Sequence, residues 1–316
     1  MSRIRCLLPT LLHRLRRTVL RLTTPVKGIR RQRGDPTSFG TVIDQRLEWL
    51  HTNLPPDVAR DLADIYTKAG QRRLGERLGI PMPKAYAIGV PLDEVLAHAE
   101  VHALTRFVVK PLSSHNAIGC RALVRTERGY LDLRSGQLRS LASHRRAMSR
   151  AHARLRRPDA WRLEELLLPI DGTLRAVDDY KFYCLGGRAE LILHTRPHRR
   201  GKRIKQFYDR DWQPVNVGLD DRKTFLCETP VHGPALLGFA ETAASRLVYP
   251  FMRVDVYDTT RGIVLGELTP GPGRRHSFNA YWNKYLLRRW HEAEAELLER
   301  IRSGANALLG PEPGIY

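Results

Sequence analysis

The chain has 316 residues, 42% of them hydrophobic, and its 53 Lys and Arg against 33 Asp and Glu give a formal net charge of +20 at neutral pH. That apolar content suits one large or two ordinary domains and excludes a disordered chain, while the charge points to an anionic partner: a nucleotide, nucleic acid, acidic glycan or lipid surface. No apolar run reaches the ~20 residues of a membrane span, no signal-peptide pattern is present, and Cys6, Cys120, Cys184 and Cys227 form no CxxC pair, so a reducing, cytoplasmic setting is expected rather than a zinc or disulfide framework.

Residues 1–34 are a basic tail and linker. Arg3, Arg5, Arg14, Arg16, Arg17 and Arg21 alternate with Leu7, Leu8, Leu11, Leu12, Leu15, Val19 and Leu22 at helical spacing. The pattern predicts a basic amphipathic helix, which through residues 1–22 would hold the chain peripherally on an anionic membrane face. Docking on the protein's own body is the plainer alternative. A nucleic-acid-binding arm is disfavoured because aromatics for base stacking are absent.

Residues 35–104 read as a helical region, with Val58, Leu62, Ile65, Ala69, Leu74 and Leu78 on one stripe and a short helix around Asp93–Glu100. A strand then runs from Arg106 to Pro111 and ends on Lys110. It is followed by a small polar loop containing Ser113, Ser114, His115, Asn116 and Gly119, and by a second strand near Arg121–Arg125. Such a unit can cover a phosphate chain with backbone N–H groups and one point charge. A lysine at a strand edge is the commoner reading, and no GxxxxGK[ST] motif occurs. The arginine-rich stretch Gln137–Arg157 is either a solvated helix face or a site for an anionic acceptor. Trp161–Leu168 is an apolar strand carrying Glu164 and Glu165.

Two hairpins follow. In the first, Gly186-Gly187 reads as a type I′ turn, and period-two alternation from it puts Asp179, Lys181, His194 and Arg196 on one face. Cations lined along a sheet suit a polyphosphate or a carboxylate. In the second, Arg253–Tyr257 and Ile263–Glu267 flank the turn Asp258–Gly262. A turn centred on Thr260 sets Arg253 opposite Glu267 and Asp255 diagonal to it, roughly 7–8 Å across. Two carboxylates so placed can converge on a hard divalent cation, Mg²⁺ above all; a solvated Arg253–Glu267 pair is the alternative. Pro234–Leu247 and Tyr281–Arg302 read as amphipathic helices.

The series FVVKP, LEELLL, DDYKFYCLGG, HTR, FYDRDW, RVDVY and GELTPGPG, in that order, resembles the ATP-grasp superfamily, and within it the TupA-like branch associated with teichuronopeptide and other cell-surface polysaccharide biosynthesis. The resemblance implies an α+β ATP-grasp fold in which two lobes, residues 105–168 and 169–316, clasp ATP between antiparallel sheets. It also implies an ATP- and Mg²⁺-dependent ligase that activates a carboxylate as an acyl phosphate for attack by an amine, with an anionic glycan or other carboxylate as acceptor. On these positions Lys110 and Lys181 would hold phosphates under the loop Ser113, Ser114, Asn116 and Gly119. Glu164, Glu165 and Leu167 would form the hinge beside adenine. Asp255, Glu267 and Thr269 would bind Mg²⁺, and Arg196 and Arg253, with Lys181, would steady the transferring phosphoryl group. The loop after Lys110 has fewer glycines than the family pattern. The alternatives are a binding module on the same fold that has lost catalysis, or a nucleic-acid-binding protein driven by charge alone.

Overall fold

The computed structural model describes residues 36–113, 118–197, 203–218, 229–247, 249–272 and 278–304. The predicted N-terminal basic helix, and Ser114 and Asn116 of the polar loop, lie outside them. Three helices come first: α1 (Phe39–Asn53), α2 (Pro56–Ile65) and α3 (Lys68–Arg77). Ser38 caps α1 by accepting from the Thr41 N–H at 3.3 Å, and Thr67 caps α3 by accepting from the Gly70 N–H at 2.9 Å, satisfying donors that a helix start leaves orphaned.

The first sheet contains β1 (Ala85–Val90), β2 (Arg106–Pro111), β3 (Arg121–Thr126), β4 (Gly129–Asp132), β5 (Gln137–Arg139) and β6 (Trp161–Glu165), in the spatial order β1-β6-β2-β3-β4-β5. All its pairings are antiparallel. One face carries Phe107, Val109, Leu123, Trp161 and Leu163, which pack with α4 (Leu92–Val101) and with Met148 of α5 (Leu141–Ala153) into one core. Alternation sends Val108, Lys110, Arg162 and Glu164 to the opposite face.

The second sheet is β10-β9-β8-β7-β11-β12, also antiparallel, from β7 (Asp179–Leu185), β8 (Arg188–Pro197), β9 (Arg203–Tyr208), β10 (Pro214–Val215), β11 (Phe251–Thr259) and β12 (Gly262–Thr269). On one face Tyr180, Phe182 and Tyr208 surround Trp212, under α6 (Gly233–Ser245). On the other, Tyr183, Phe207 and Phe251 meet Phe39 of α1 and Phe278, which precedes α7 (Ala280–Arg302).

Both predicted turns are present, and both predicted registers are altered. Gly186 and Gly187 have φ of 57° and 80°, as a type I′ turn requires, and Leu185 pairs with Arg188. Glu190 then bulges: Cys184 pairs with Ala189, but Tyr183 pairs with Leu191. The extra residue reverses the faces of everything beyond it. His194 and Arg196 therefore do not share the face of Asp179 and Lys181. They lie with Tyr180, whose ring stacks on His194 at 4.4 Å.

In the second hairpin the turn is Thr260-Arg261, and Gly266 bulges between the pairs Val256–Leu265 and Asp255–Glu267. Arg253 therefore faces Thr269 rather than Glu267, and the two carboxylates stand directly opposite each other instead of diagonally. Without the extra residue Glu267 would oppose Val254 and point into the apolar face.

Candidate functional site

Lys181 on β7, Arg253 and Asp255 on β11, and Glu267 and Thr269 on β12 share one face of the second sheet. Asp255, only 2% exposed, is the hub. Its Oδ1 accepts from Arg253 Nε at 2.6 Å, and its Oδ2 accepts from the second Arg253 nitrogen at 3.0 Å and from Lys181 Nζ. Arg253 also donates to Thr269 Oγ1 at 2.9 Å, and Lys181 reaches Asp179 at 2.6 Å. Burial opposes ionisation of Asp255, but Arg253 and Lys181 outweigh it and hold the carboxyl below its ordinary range. Burial likewise opposes the charge on Lys181 and Arg253, and the facing carboxylates win, raising both. Asp179 goes the other way, raised first by burial and then by neighbouring Asp255 despite Lys181.

The corresponding face of the first sheet repeats this arrangement in miniature. Glu164, 5% exposed, is ion-paired to Lys110 and lies 3.5 Å from Arg162. Lys68, the first residue of α3, connects the two faces. Burial lowers its pKa, Glu267 of the second sheet raises it, and Lys110 and Arg162 of the first lower it further. Tyr257 also senses both lobes: burial raises its phenol far above the usual value, aided by Asp179, Asp255 and Glu267 on its own side and by Glu164 across the gap. Arg162 of the first sheet donates to the Lys68 carbonyl at 3.3 Å, and Gln71 of the same helix accepts from the Leu268 N–H of the second at 3.3 Å, so α3 ties the two charged faces to a common cleft.

The hinge predictions divide. Glu164 belongs to the charged face. Glu165 accepts from the Lys84 N–H at 3.0 Å and from Arg261, whose guanidinium also donates to the Met82 carbonyl at 2.9 Å. It clamps the β11–β12 turn to the first lobe, as do Thr260 N–H to Leu168 O at 3.2 Å and Leu265 N–H to Pro81 O at 2.8 Å. Leu167, 9% exposed, lies in this connection. Ser113 is exposed beside the undescribed loop. Gly119 is buried with φ 77°, and a Cβ there would meet Pro111 at 3.1 Å and Trp161 at 3.3 Å, so the loop returns tightly against β2 and β6.

Arg196 is held elsewhere. Its Nε donates to Asp178 Oδ2 at 2.9 Å, and the same carboxylate engages His194 at 3.1 Å and Arg175 at 2.7 Å. Burial opposes ionisation of Asp178, and His194, Arg196 and Arg175 lower its pKa to about 2. This network lies on the far face from Asp255. Lys68 and Gly266 are the residues that sequence reasoning passed over. A charged residue directly after a helix cap and a glycine inside a strand were the available signals.

Asp255, Glu267 and Thr269 supply two carboxylates and a hydroxyl on adjacent positions, hard oxygen donors of the kind Mg²⁺ takes. Among the described residues no cluster of three or more His, Cys, Asp or Glu that could hold a metal ion is present.

Two antiparallel sheets with charged faces across a cleft, joined by short interlobe clamps, are the ATP-grasp fold. The family model described as TupA-like ATPgrasp matches residues 92–286, and the chain belongs to that family. No curated protein matches. Among solved structures the chain is similar to the ATP-grasp ligase PsnB complexed with minimal precursor (14% identity, 73% of this chain and 61% of that one, TM-score 0.40). It is also similar to a D-alanine-D-alanine ligase from Helicobacter pylori (12%, 72% and 61%, 0.40), and to a RimK domain protein ATP-grasp from Sphaerobacter thermophilus (13%, 75% and 69%, 0.45). The chain thus spans 61% of the length of the first two.

Proposed function

We propose that the protein is an ATP- and Mg²⁺-dependent ligase that activates a carboxylate as an acyl phosphate for attack by an amine. The observation that carries this reading is the pair of charge clusters, each with two cations on one carboxylate, Lys110–Glu164–Arg162 on one lobe and Lys181–Asp255–Arg253 on the other, with α3, which begins at Lys68, hydrogen-bonded to both sheets. A nucleotide entering the cleft offers its phosphates to Lys68, Lys110, Lys181 and Arg253, and Asp255, Glu267 and Thr269 would hold the metal. Bound there, Mg²⁺ would neutralise phosphate charge. The protein's own part is positioning and charge stabilisation, which is most of what phosphoryl transfer requires. The Ser113–Gly119 loop would cover the phosphates, and Glu165 and Leu167 line the connection where adenine would lie. Arg196, bound to Asp178 on the opposite face of the second sheet, has no part in the phosphoryl site of this reading.

The acceptor in this reading is an anionic glycan or another carboxylate in cell-surface polysaccharide assembly, with residues 1–22 holding the chain at the inner membrane face. The motif resemblance to the TupA-like branch supports the polysaccharide setting, and the basic amphipathic pattern of residues 1–22 supports the membrane one. Calorimetric titration of Mg-ATP into the full chain, Lys110→Ala and Glu267→Gln, each checked for folding, tests the nucleotide site. Saturable binding weakened at least ~10-fold by each substitution, about 1.4 kcal/mol, is expected. No binding, or binding indifferent to both, refutes the reading.

A further inference from the structure

The outer face of α5 is an arginine ridge that the cleft does not use. The helix turns His144, Met148 and His152 inward, leaving Arg146, Arg150 and, at its C-cap, Arg154 exposed on one i, i+4 row. Arg139, Arg145, Arg156 and Arg157 extend the exposed charge, and residues 137–157 contain no lysine and no acid. Arg145 is ion-paired to Asp93. Among the described residues Arg146, Arg150 and Arg154 have no carboxylate partner. Like charges at i, i+4 destabilise a helix, and Arg146 lies in the N-terminal half, where the helix dipole gives cations no benefit. The row is not explained by helix stability.

Its chemistry narrows the partner. Successive arginines on such a row are about 6 Å apart. A β-extended peptide with an acid at every second position presents carboxylates on one side about 6.6 Å apart, within reach of the long side chains. The guanidinium fork grips a carboxylate bidentately. Beside the arginines the exposed face carries Ala142, Ser149 and Ala153. These are small enough for a backbone to lie close, and they include no aromatic to stack a base and no bulky apolar group to enter lipid. Residues 1–34 are themselves basic and are repelled. We infer that the outer face of α5 docks an extended acidic peptide segment whose alternate carboxylates meet Arg146, Arg150 and Arg154 in turn. The surface is on the core side of the first sheet, away from the Lys110 face, and the inference stands independently of the nucleotide reading.

The test is fluorescence anisotropy of the full chain with two labelled ten-residue peptides of equal composition, three Glu and seven Ser, one with Glu at alternate positions in its centre, the other with Glu at every third position so that neighbouring acids point to opposite sides of the strand. The alternating peptide is expected to bind about tenfold more tightly, the effect of keeping two further ion pairs in register. Arg146→Gln/Arg150→Gln, with unchanged thermal melting and Mg-ATP titration, is expected to remove that preference. Equal affinities for the two peptides, a preference that survives the double substitution, or binding to an oligothymidine or to phosphatidylglycerol vesicles that the double substitution weakens more than it weakens peptide binding would overturn the inference.

Discussion

Gly266→Ala is the most discriminating single substitution at the proposed metal site. An ideal Cβ at 266 would lie 2.6 Å from Tyr257 Cζ, 2.7 Å from Cε2 and 2.9 Å from the hydroxyl oxygen, about 1 Å inside ordinary carbon contact. The strand has two responses. Straightening the bulge would put Glu267 opposite Val254 and bury an unpaired carboxylate, which costs several kcal/mol. Turning the Tyr257 ring aside costs less, in the ~1–3 kcal/mol range of overpacking, and it leaves Glu267 opposite Asp255. Urea unfolding of Gly266→Ala should therefore reveal a loss of ~1–3 kcal/mol, roughly a 5- to 150-fold fall in the folded-to-unfolded ratio. Tyr257→Val in the same background should recover most of it, so that the double-mutant cycle gives a coupling of at least ~1 kcal/mol. Additive effects would refute the close packing of Gly266 on Tyr257 and with it this account of how Glu267 reaches the charged face.

Three further outcomes are expected. Asp255→Asn leaves Lys181 and Arg253 with a neutral partner and should cost about 3–5 kcal/mol. Because the folded-state pKa of Asp255 is depressed, its contribution is present above the unfolded value near ~3.9 and is lost as pH falls through the folded one; the gap between wild type and variant in urea midpoints should therefore shrink below about pH 4, and a gap constant from pH 7 to 3 would contradict the assignment. Lys68→Ala should raise the Kd for Mg-ATP about tenfold while changing unfolding free energy by less than ~1 kcal/mol, since burial already disfavours this charge; an unchanged Kd would remove Lys68 from the site. Deleting Met1–Gly34 should weaken cosedimentation with anionic vesicles and leave nucleotide affinity intact, and unchanged cosedimentation would end the membrane role.

The charged residues of the cleft were legible because strand chemistry is local. A lysine at the end of an apolar run, alternation through RVDVY and a Gly-Gly turn are each visible within ten residues. The faces were not, because alternation counts residues and a bulge adds one. At Glu190 the signal was an acid inside an apolar run. It is held there by Tyr285, which donates to it at 2.6 Å, and by Arg289 at 2.8 Å, two residues about a hundred positions away. No local pattern contains that contact. Lys68 was missed for a related reason: the α3 region reads as an amphipathic stripe, and only the approach of the two sheets gives its first residue a role. The strands β1, β4, β5 and β10 also escaped, β5 being three exposed residues with nothing to alternate and β10 only two residues.

The clusters themselves explain how so many charges can line a cleft before any ligand arrives. Three of the cations proposed for the phosphates are ion-paired to a carboxylate of their own lobe: Lys110 to Glu164, Lys181 and Arg253 to Asp255. Unpaired, each buried charge would cost several kcal/mol and open the lobe to water. In the proposed function nucleotide entry would exchange partners rather than neutralise bare charge, the phosphates taking the cations and releasing carboxylate oxygens for a metal. The net affinity is the difference between two well-paired states. Asp255→Asn should consequently weaken Mg-ATP far more than it weakens ATP offered with excess chelator, because it removes the oxygens the metal needs while leaving Lys181 and Arg253 freer for phosphate. Equal losses in the two titrations would mean that Asp255 serves only to organise the cations.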